Sequence, residues 1–340
     1  MENRKFERYS RQMLFAPIGS EGQKKLASKK VLIVGMGALG TVLANHFVRA
    51  GVGHVRFADR DYVEQSNLQR QMLFDESDVS ESLPKAVAAE NKLRKINSDV
   101  IVEGVVTDVT TATIDELMSG VDLVVDGTDN FQTRFLMNDA CFKAGIPFVY
   151  GGAVSSRGMS GMFIPGKTPC LRCFINHGDT SGQTCDTIGV IAPVVDIVAS
   201  FQAIEALKYL VGDQRAERKS LLTFDVWNYH MFEMKYKKSK ESCPTCSLGE
   251  YPALEEDDSD TMTSLCGRET VQIQMGQPLE LDEWAEKLKG VATVQKTPFL
   301  LRAELPEGER LVLFPDGRTL VQGTEDVTRA KTLYARYIGL

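Results

Sequence analysis

One segment near the N-terminus, residues 31–40, limits what this chain can fold into more than any other. Its first four residues are aliphatic, and Gly35, Gly37 and Gly40 follow at GxGxxG spacing. The first glycine permits a tight turn, the second lets the backbone approach a phosphate, and the third lets strand and helix pack closely. The segment therefore predicts a buried strand, a turn, and a helix from about Ala38 to Ala50 whose N-terminus faces an anion.

An acidic residue at the end of the next predicted strand strengthens the case for a nucleotide. The strand Val55 to Ala58 leads into Asp59, roughly 20 residues beyond the glycines, where dinucleotide-binding folds carry the acid that holds the ribose hydroxyls. A glycine-rich turn that serves packing alone is the alternative. The strand, the helix and the acid occur together at suitable spacing, and this combination favours a nucleotide site.

Polar side chains that suit a triphosphate follow in a loop and at the start of a helix. Asn67 has both donor and acceptor groups, and Arg70 offers a planar fork to phosphate. Lys85 comes directly after a proline and begins a predicted helix that ends at Ile96. Because a cation opposes the dipole at a helix N-terminus, Lys85 points to an anionic ligand, with a solvated lysine as the alternative.

The sequence around two further charged residues, Asp129 and Arg11, is less specific for one function. Asp129 follows a predicted buried strand, Leu123 to Asp126, and suits either an N-cap of the helix from Phe131 to Lys143 or a Mg²⁺ ligand. Arg11 lies in a predicted helical segment, 6–26, ahead of the first strand. On composition alone, Arg11 would belong to a solvated face.

The order of the predicted elements indicates the fold class. Strands and helices alternate up to a strand that ends at Gly151 and Gly152, the pattern of a parallel, doubly wound sheet. Beyond Gly158 short strands follow one another, which predicts antiparallel pairing within one continuous mixed sheet. The fold class is therefore α/β and Rossmann-like. An acidic run predicts a solvated linker before a small α+β unit, which divides the chain into 1–250, a linker at 251–265, and 266–340.

Four of the seven cysteines form two CxxC pairs, Cys170 with Cys173 and Cys243 with Cys246. Four thiolates arranged in this way suit a tetrahedral structural Zn²⁺, and such a closed site leaves no open position for catalysis. Two unrelated or redox-active pairs are the alternative. Cys185 lies in a polar, glycine-containing loop, where an accessible thiol is either a nucleophile or a bystander.

The composition argues against several classes of protein. Hydrophobic residues make up 43% and charged residues 25% of the 340-residue chain, as in ordinary globular proteins. The net charge of −7 argues against nucleic acid as the main partner. No apolar run approaches the length of a membrane span, and the first residues do not resemble a signal peptide. We therefore expect a cytoplasmic protein with no nucleic-acid or membrane partner.

Taken together, the motifs resemble those of the MoeB/ThiF/HesA family, the bacterial relatives of ubiquitin-activating enzymes. The matching stretches are RYSRQ at 8–12, GMGALG at 35–40, DRDYVEQSNLQRQ at 59–71, GTDNFQTR at 127–134, TCDTIGVIAPVV at 184–195, the helix at Lys85 and both CxxC pairs. The resemblance implies a ThiF-type adenylation domain at 1–250. The unit at 266–340 looks like a C-terminal extension found on some members of the family.

The resemblance implies an ATP-dependent adenylyltransferase. Such an enzyme activates the C-terminal glycine of a ubiquitin-like sulfur carrier protein and forms an acyl-adenylate and pyrophosphate. By this resemblance Asp59 would hold the ribose, and Asn67, Arg70 and Lys85 would hold the triphosphate. Asp129 would bind Mg²⁺.

Further family features imply partners. Arg11 resembles an arginine that reaches into the site of the neighbouring subunit, which implies a homodimer. Cys185 matches the region in which some relatives carry a thiol that takes the carrier onto sulfur. GMGALG and the stretch at 151–159 favour a carrier like MoaD, the small subunit of molybdopterin synthase, over the thiazole-pathway carrier ThiS. A rhodanese-type CRxGxR loop is absent from the sequence, so a separate sulfur donor protein is expected.

Two interpretations outside the family compete with this one. A NAD-dependent oxidoreductase would explain the glycines and Asp59, but it leaves Arg70, Lys85 and the four paired cysteines without a role. A non-catalytic nucleotide-binding scaffold would need no complete set of phosphate-facing groups. Both interpretations therefore account for fewer of these residues than an adenylyltransferase does.

Overall fold

The computed structural model of the protein describes residues 6–175, 188–255, 262–265, 269–274 and 277–339. Cys185 lies outside these residues. The chain divides into two compact units, Met1–Glu256 and Asp257–Leu340. Part of the predicted linker is helical, at Pro252–Glu255, and the finer boundaries at 250 and 266 stay a prediction. Across the described ranges, every helix lacks either the length or the apolar character needed to cross a bilayer.

The first unit is built on eight strands, which are β1 (Lys30–Val34), β2 (His54–Asp59), β3 (Ile101–Val106), β4 (Leu123–Asp126), β5 (Phe148–Val154), β6 (Arg157–Phe163), β7 (Ser220–Asp225) and β8 (His230–Lys235). They form one sheet in the order β3-β2-β1-β4-β5-β6-β7-β8. Neighbouring strands from β3 to β5 are parallel, and those from β5 to β8 are antiparallel. The predicted mixed sheet is confirmed.

Helices cover both faces of this sheet, namely α1 (Ser10–Met13), α2 (Gly19–Ala27), α3 (Ala38–Ala50), α4 (Glu76–Ser80), α5 (Lys85–Ile96), α6 (Ile114–Leu117), α7 (Phe131–Ala144), α8 (Ala192–Val211) and α9 (Pro252–Glu255). Single turns of 3₁₀ or π helix lie at Glu7–Tyr9, Gln65–Asn67, Leu171–Cys173 and Pro244–Leu248.

On β1, Val31 and Ile33 join the core that includes α3, α5 and α8. Leu32 and Val34 join the core that includes α6 and α7. Both faces of β1 are buried, which explains why this strand is aliphatic throughout.

Three strands end side by side next to the glycine turn. Val34 of β1 pairs with Ala58 of β2 and with Asp126 of β4. Because the three strands are parallel, the residues that follow them gather at one edge of the sheet. The strand order reverses at β1, and open α/β sheets bind their ligands at such a switch point.

Strand β5 continues past its predicted end at Gly151 and Gly152. It pairs with β6 as far as Val154, and the turn comes at Ser155, whose φ is +56°. A Cβ on Gly151 would collide with the side chain of Gln202 on α8. The glycine therefore marks close packing of helix on sheet, and the prediction that it ends the strand is wrong.

The second unit contains β9 (Met262–Leu265), β10 (Thr270–Gln274), β11 (Thr293–Lys296), β12 (Leu301–Glu304), β13 (Arg310–Leu313) and β14 (Arg318–Gln322), with helices α10 (Leu281–Leu288) and α11 (Val327–Tyr337). The strands form an antiparallel sheet in the order β11-β12-β13-β14-β10-β9. This confirms the predicted small α+β unit. The sequence interpretation missed two strands: β9, which lies within the predicted linker and pairs with β10, and β11, whose side chains are largely exposed and lack an alternating apolar pattern.

Candidate active site and metal centre

The glycine turn after β1 is shaped by two close backbone approaches. Gly35 has a φ of +90°, and a Cβ on it would lie 2.8 Å from the carbonyl oxygen of Gly127. A Cβ on Gly40 would collide with the carbonyl oxygen of Gly35. Gly37 differs, because the nearest atom to a Cβ there is Nε2 of Gln71 at 3.8 Å. Internal packing thus requires the first and third glycines, whereas the second leaves room for a ligand to approach the backbone.

Asp59 is bound directly to this turn. Its Oδ2 accepts a hydrogen bond from the backbone N–H of Met36 at 2.6 Å, and its Oδ1 accepts one from the N–H of Asp61 at 2.7 Å. Burial raises the pKa of Asp59, and the nearby charge of Lys85 opposes that rise. The acid is therefore held beside the glycine turn, as the sequence spacing predicts for a group that binds ribose.

Lys85 lies near Asp59, and its side chain is buried, with 5% exposed. Its Nζ lies 3.1 Å from Oδ2 of Asp61, and its backbone N–H donates to the carbonyl oxygen of Asp61 at 2.8 Å. The alternative of a solvated lysine is wrong. Sequence reasoning missed Asp61, although its position two residues after Asp59 is a usable signal for an acid on the same loop.

The loop between β2 and α4 carries Asn67, Arg70 and Gln71. Asn67 is buried, and its Oδ1 accepts from the N–H of Glu64 at 3.0 Å, which shapes the loop. Arg70 is half-buried and donates to the carbonyl oxygen of Ser66 at 3.0 Å. Gln71 is 4% exposed, and its Oε1 has no hydrogen-bond partner within the described residues. The sequence analysis gave no role to Gln71, although it lies inside one of the matching motifs.

Asp129 lies in the loop between β4 and α7, and its side chain is exposed. The N-cap of α7 is Asn130, whose Oδ1 accepts from the N–H of Thr133 at 2.8 Å. The alternative that Asp129 caps this helix is therefore wrong. A carboxylate that is exposed at a strand end and is not the cap of the helix suits a Mg²⁺ ligand.

A buried ion pair holds that loop in place. Nε of Arg134 on α7 lies 2.9 Å from Oδ2 of Asp126, at the end of β4. The same guanidinium donates to the carbonyl oxygens of Thr128 at 2.7 Å and Gly151 at 3.0 Å. Burial alone would lower the pKa of Arg134, but the carboxylate of Asp126 outweighs it and the pKa is raised. Arg134 therefore stays charged and ties the loop to β5.

Arg11 lies away from the glycine turn. It is exposed on α1, while its neighbours are anchored: Gln12 donates to the carbonyl oxygen of Ala50 at 2.9 Å, and the hydroxyl of Tyr9 accepts from Asn97 at 2.7 Å. Arg11 itself is exposed, as on a solvated face, whereas its near neighbour Tyr9 is 7% exposed and belongs to the core. These bonds hold α1 at the C-terminal end of α3, and the glycine turn precedes the other end of that helix.

The four paired cysteines converge. Cys170 and Cys243 have their Sγ atoms 3.5 Å apart, and those of Cys173 and Cys246 are 3.4 Å apart. All four sulfur atoms lie within 4.8 Å of one another, and none is in a disulfide. Zn–S bonds of about 2.3 Å in a tetrahedron place sulfur atoms roughly 3.8 Å apart. The donor set and its spacing therefore fit Zn²⁺.

The comparisons with known proteins are consistent with this geometry. A model described as "ThiF family" matches residues 9–245. The chain belongs to the ThiF family. The sulfur carrier protein ThiS adenylyltransferase of Bacillus subtilis is 46% identical over 336 residues, which cover 98% of this chain and 99% of that protein. The molybdopterin-synthase adenylyltransferase of Escherichia coli is 34% identical over 240 residues, 70% of this chain and 95% of that protein.

Solved structures support the same fold. MccB of Escherichia coli, in its structure with succinimide, matches with a TM-score of 0.63 and 24% identity over 71% of this chain and 74% of that one. The predicted family and the ThiF-type fold are confirmed. The two relatives compared by sequence are named as adenylyltransferases, which agrees with the predicted enzyme class.

Proposed function

We propose that this ThiF-family protein uses ATP to adenylate the C-terminal glycine of a ubiquitin-like sulfur carrier protein. The observation that carries the proposal is the joining of Asp59 and Lys85, through Asp61, beside the glycine turn. A ribose-binding acid and a buried cation next to a helix N-terminus form a site for a nucleotide with its phosphates. A nicotinamide enzyme has no comparable need for the cation.

The chemistry follows from where charge develops. An oxygen of the carrier's terminal carboxylate forms a bond to the α-phosphorus, the bond from that phosphorus to the bridging oxygen breaks, and pyrophosphate leaves. Lys85 and Arg70 stabilise the charge that builds on the phosphoryl oxygens and the leaving group. Mg²⁺ bound at Asp129 would supply further positive charge there. No general base is required, because a carboxylate is already ionised at pH 7.

Gln71 supports the fit of a nucleotide. Among the described residues, none donates a hydrogen bond to its buried Oε1, and its Nε2 lies 3.8 Å from where a Cβ on Gly37 would be. A buried acceptor without a donor costs free energy in the unliganded protein, and a hydroxyl or amino group of a ligand would satisfy it. Asn67 shapes the same loop and, in the proposal, assists Arg70 in holding the triphosphate.

Zinc has a structural part in the proposal. Cys170 and Cys173 follow β6, whereas Cys243 and Cys246 follow β8, so a bound Zn²⁺ would clamp two distant segments of the unit. With four thiolate ligands the metal has no open position for substrate. We assign no catalytic step to it. The thiol of Cys185, outside the described residues, is assigned to a stage after adenylation.

A homodimer completes the site in the proposal. Helix α3 has 13 residues and is therefore about 20 Å long at the usual rise per residue. The glycine turn precedes its first residue, and Gln12 is bonded to its last residue, Ala50. The adjacent Arg11 is thus a helix length from the glycine turn of its own chain, which favours a role in the site of a second copy.

Two kinds of carrier protein fit the proposal. The motif resemblance favours a MoaD-like carrier, while the likeness over nearly the full length to a relative named for ThiS favours a ThiS-like carrier. The alignment with that relative covers 98% of this chain and so includes the second unit. The alignment with the Escherichia coli molybdopterin-synthase relative covers 70% of this chain. A separate protein would supply the sulfur in either case.

The test is to incubate the protein with ATP, Mg²⁺ and each candidate carrier, and then to weigh the carrier. We expect the mass of one carrier to increase by one adenylyl group, with release of pyrophosphate. If neither carrier is modified, a change in nicotinamide absorbance in a parallel incubation with NAD would favour an oxidoreductase. ATP binding with no turnover on either carrier would favour a scaffold.

The matched variants are Arg70→Ala and Arg94→Ala. Arg70 donates to one loop carbonyl, that of Ser66, so its removal should leave fold and zinc content intact. We expect adenylation to fall by more than about 100-fold in Arg70→Ala, because charge stabilisation at the phosphates is lost. Arg94, 61% exposed on the last turn of α5, should be replaceable without loss. A near-normal rate in Arg70→Ala would remove Arg70 from the site.

A further inference from the structure

One buried carboxylate contacts a residue inside each of the two CxxC motifs. Asp139, on α7, has no exposed surface. Its two oxygens accept from Nε and Nη2 of Arg172, at 2.9 and 2.7 Å, and Arg172 lies inside the first pair. Its Oδ1 also accepts from the hydroxyl of Thr245 at 2.7 Å, and Thr245 lies inside the second pair. A single side chain therefore links the two segments that carry the four cysteines.

The neighbouring residues extend this link. The backbone N–H of Ala253, on α9, donates to Oδ2 of Asp139 at 3.0 Å. Asn138 donates to Oδ1 of Asp139, and its own Oδ1 accepts from the N–H of Leu171 at 2.9 Å. Two adjacent side chains of α7 thus hold the first cysteine pair, the second cysteine pair and the segment that follows it.

The arrangement is rigid for physical reasons. Arginine presents two parallel donors to a carboxylate, and such a pair fixes orientation as well as distance. The guanidinium of Arg172 also lies over the ring of Phe135 on α7, 4.6 Å from its centre. Because Asp139 is fully buried, a broken bond could not be replaced by water, so each lost partner would be costly.

We propose that Asp139 is the positioning residue of the metal centre, which holds the two cysteine pairs at the spacing that four thiolates need around Zn²⁺. The inference rests on the zinc site of the proposed function. Asp139 is not among the four clustered metal-ligating groups, and its oxygens accept hydrogen bonds from protein donors. It acts by keeping the cysteine segments together, which slows the release of the metal.

The test compares zinc release from the full chain in Asp139→Asn and in a matched control. Glu205→Gln is the control, because Glu205 is 2% exposed, pairs with Lys208 at 2.7 Å and accepts from the N–H of Arg218 at 2.9 Å. Zinc-loaded proteins are mixed with a chromogenic chelator, and thermal melting is recorded in parallel. We expect release about tenfold faster or more in Asp139→Asn, the size of effect seen for groups that support metal ligands.

The control separates positioning from general destabilisation. If Glu205→Gln lowers the melting temperature but keeps the wild-type release rate, faster release in Asp139→Asn supports the inference. Equal release rates in wild type, Asp139→Asn and Glu205→Gln would overturn it while leaving the zinc site in place. Wild-type protein purified without zinc that also fails to bind added zinc would overturn the zinc site itself.

A second variant applies if Asp139→Asn does not fold. Thr245→Val removes one hydroxyl that bonds to Asp139 and keeps the shape of the side chain. We expect release to be several-fold faster than in wild type, because the second pair loses one of its ties to α7. An unchanged rate in Thr245→Val would overturn the inference.

Discussion

Asp61 sets the relative position of two residues that the proposal assigns to different parts of the nucleotide. Its N–H donates to Asp59, and its backbone carbonyl and carboxylate both accept from Lys85. The acid proposed to bind ribose and the cation proposed to bind phosphate are thereby joined through one residue. Preorganisation of this kind lowers the cost of ordering the site when a charged ligand arrives.

At the residue scale we predict a pH dependence for nucleoside binding. Burial raises the pKa of Asp59 above that of an ordinary aspartate, so its carboxylate becomes protonated at a higher pH as the solution is acidified. Protonation removes an acceptor for the ribose hydroxyls, and the affinity should fall with it. Calorimetry with adenosine, which lacks titrating phosphates, should show weaker binding to the wild type as the pH is lowered.

Asp59→Asn is the comparison for that prediction. An amide does not titrate, so the variant should bind adenosine weakly at every pH and show no acid-dependent loss. Wild-type affinity that stays constant down to the pH at which an ordinary aspartate titrates would contradict the role of Asp59.

At the scale of elements, α7 connects the two sites. It begins directly after the Asp129 loop, Arg134 ties that loop to β4 and β5, and Asp139 binds the cysteine segments farther along. Within one rigid helix, a shift at one end moves the other. The loop proposed to bind Mg²⁺ therefore depends on how well the first turn of α7 is formed.

We predict that Asn130→Ala weakens both this turn and the metal-dependent step. Loss of the N-cap bond to Thr133 should lower the free energy of unfolding by about 1 kcal/mol. Because Asp129 precedes the cap, the Mg²⁺ concentration needed for half-maximal adenylation should rise. Denaturant melts and a Mg²⁺ titration of the rate measure the two effects.

Asp326→Ala provides a control with the same chemistry at another helix. Asp326 caps α11 of the second unit and accepts from the N–H of Thr328 at 2.8 Å. This variant should lose stability without any change in Mg²⁺ dependence. Equal Mg²⁺ dependence in both variants would mean that Asp129 does not act with the metal.

At the scale of the whole molecule, the positions of α1 and α3 bear on assembly. Tyr9 and Gln12 hold α1 at the C-terminal end of α3, and Arg8 donates to the carbonyl oxygen of Ile96 at the end of α5. Both helices begin at the proposed nucleotide site. Arg11 lies exposed between these anchors, a position that fits the proposal that it acts in the site of a second copy of the chain.

We predict that two inactive variants complement one another. In a dimer of Arg11→Ala with Arg70→Ala, one site has both arginines and the other has neither. Co-expression with two different tags and tandem purification should give a heterodimer with about half of the wild-type adenylation rate, as two-fold symmetry requires. Failure of the two chains to co-purify, or a heterodimer without activity, would contradict a role of Arg11 across the interface.

Much of the first unit could be predicted, and the reasons are local. Helix α3 runs from Ala38 to Ala50, as the glycine turn before it predicts, and in the structure Gly51, with a φ of +80°, ends it. Strand β5 is longer than predicted, because Gly151 packs against Gln202 and does not form a turn. The sequence analysis named Asp129 and not Asn130 as a possible cap of α7. Both side chains can accept the capping hydrogen bond, so their chemistry alone does not distinguish them.

The glycine turn, the two cysteine pairs and the α/β fold class can be predicted from the sequence, because they depend on spacing along the chain and on side-chain periodicity. The contacts of Asp61, Gln71 and Asp139 were decided by the tertiary structure. Asp61 pairs with Lys85, and Asp139 accepts hydrogen bonds from Arg172 and Thr245, all of which lie far along the chain. Gln71 lies beside Gly37 of the glycine turn. Which polar groups share a buried space depends on how strands and helices pack, and no local pattern of residues encodes that.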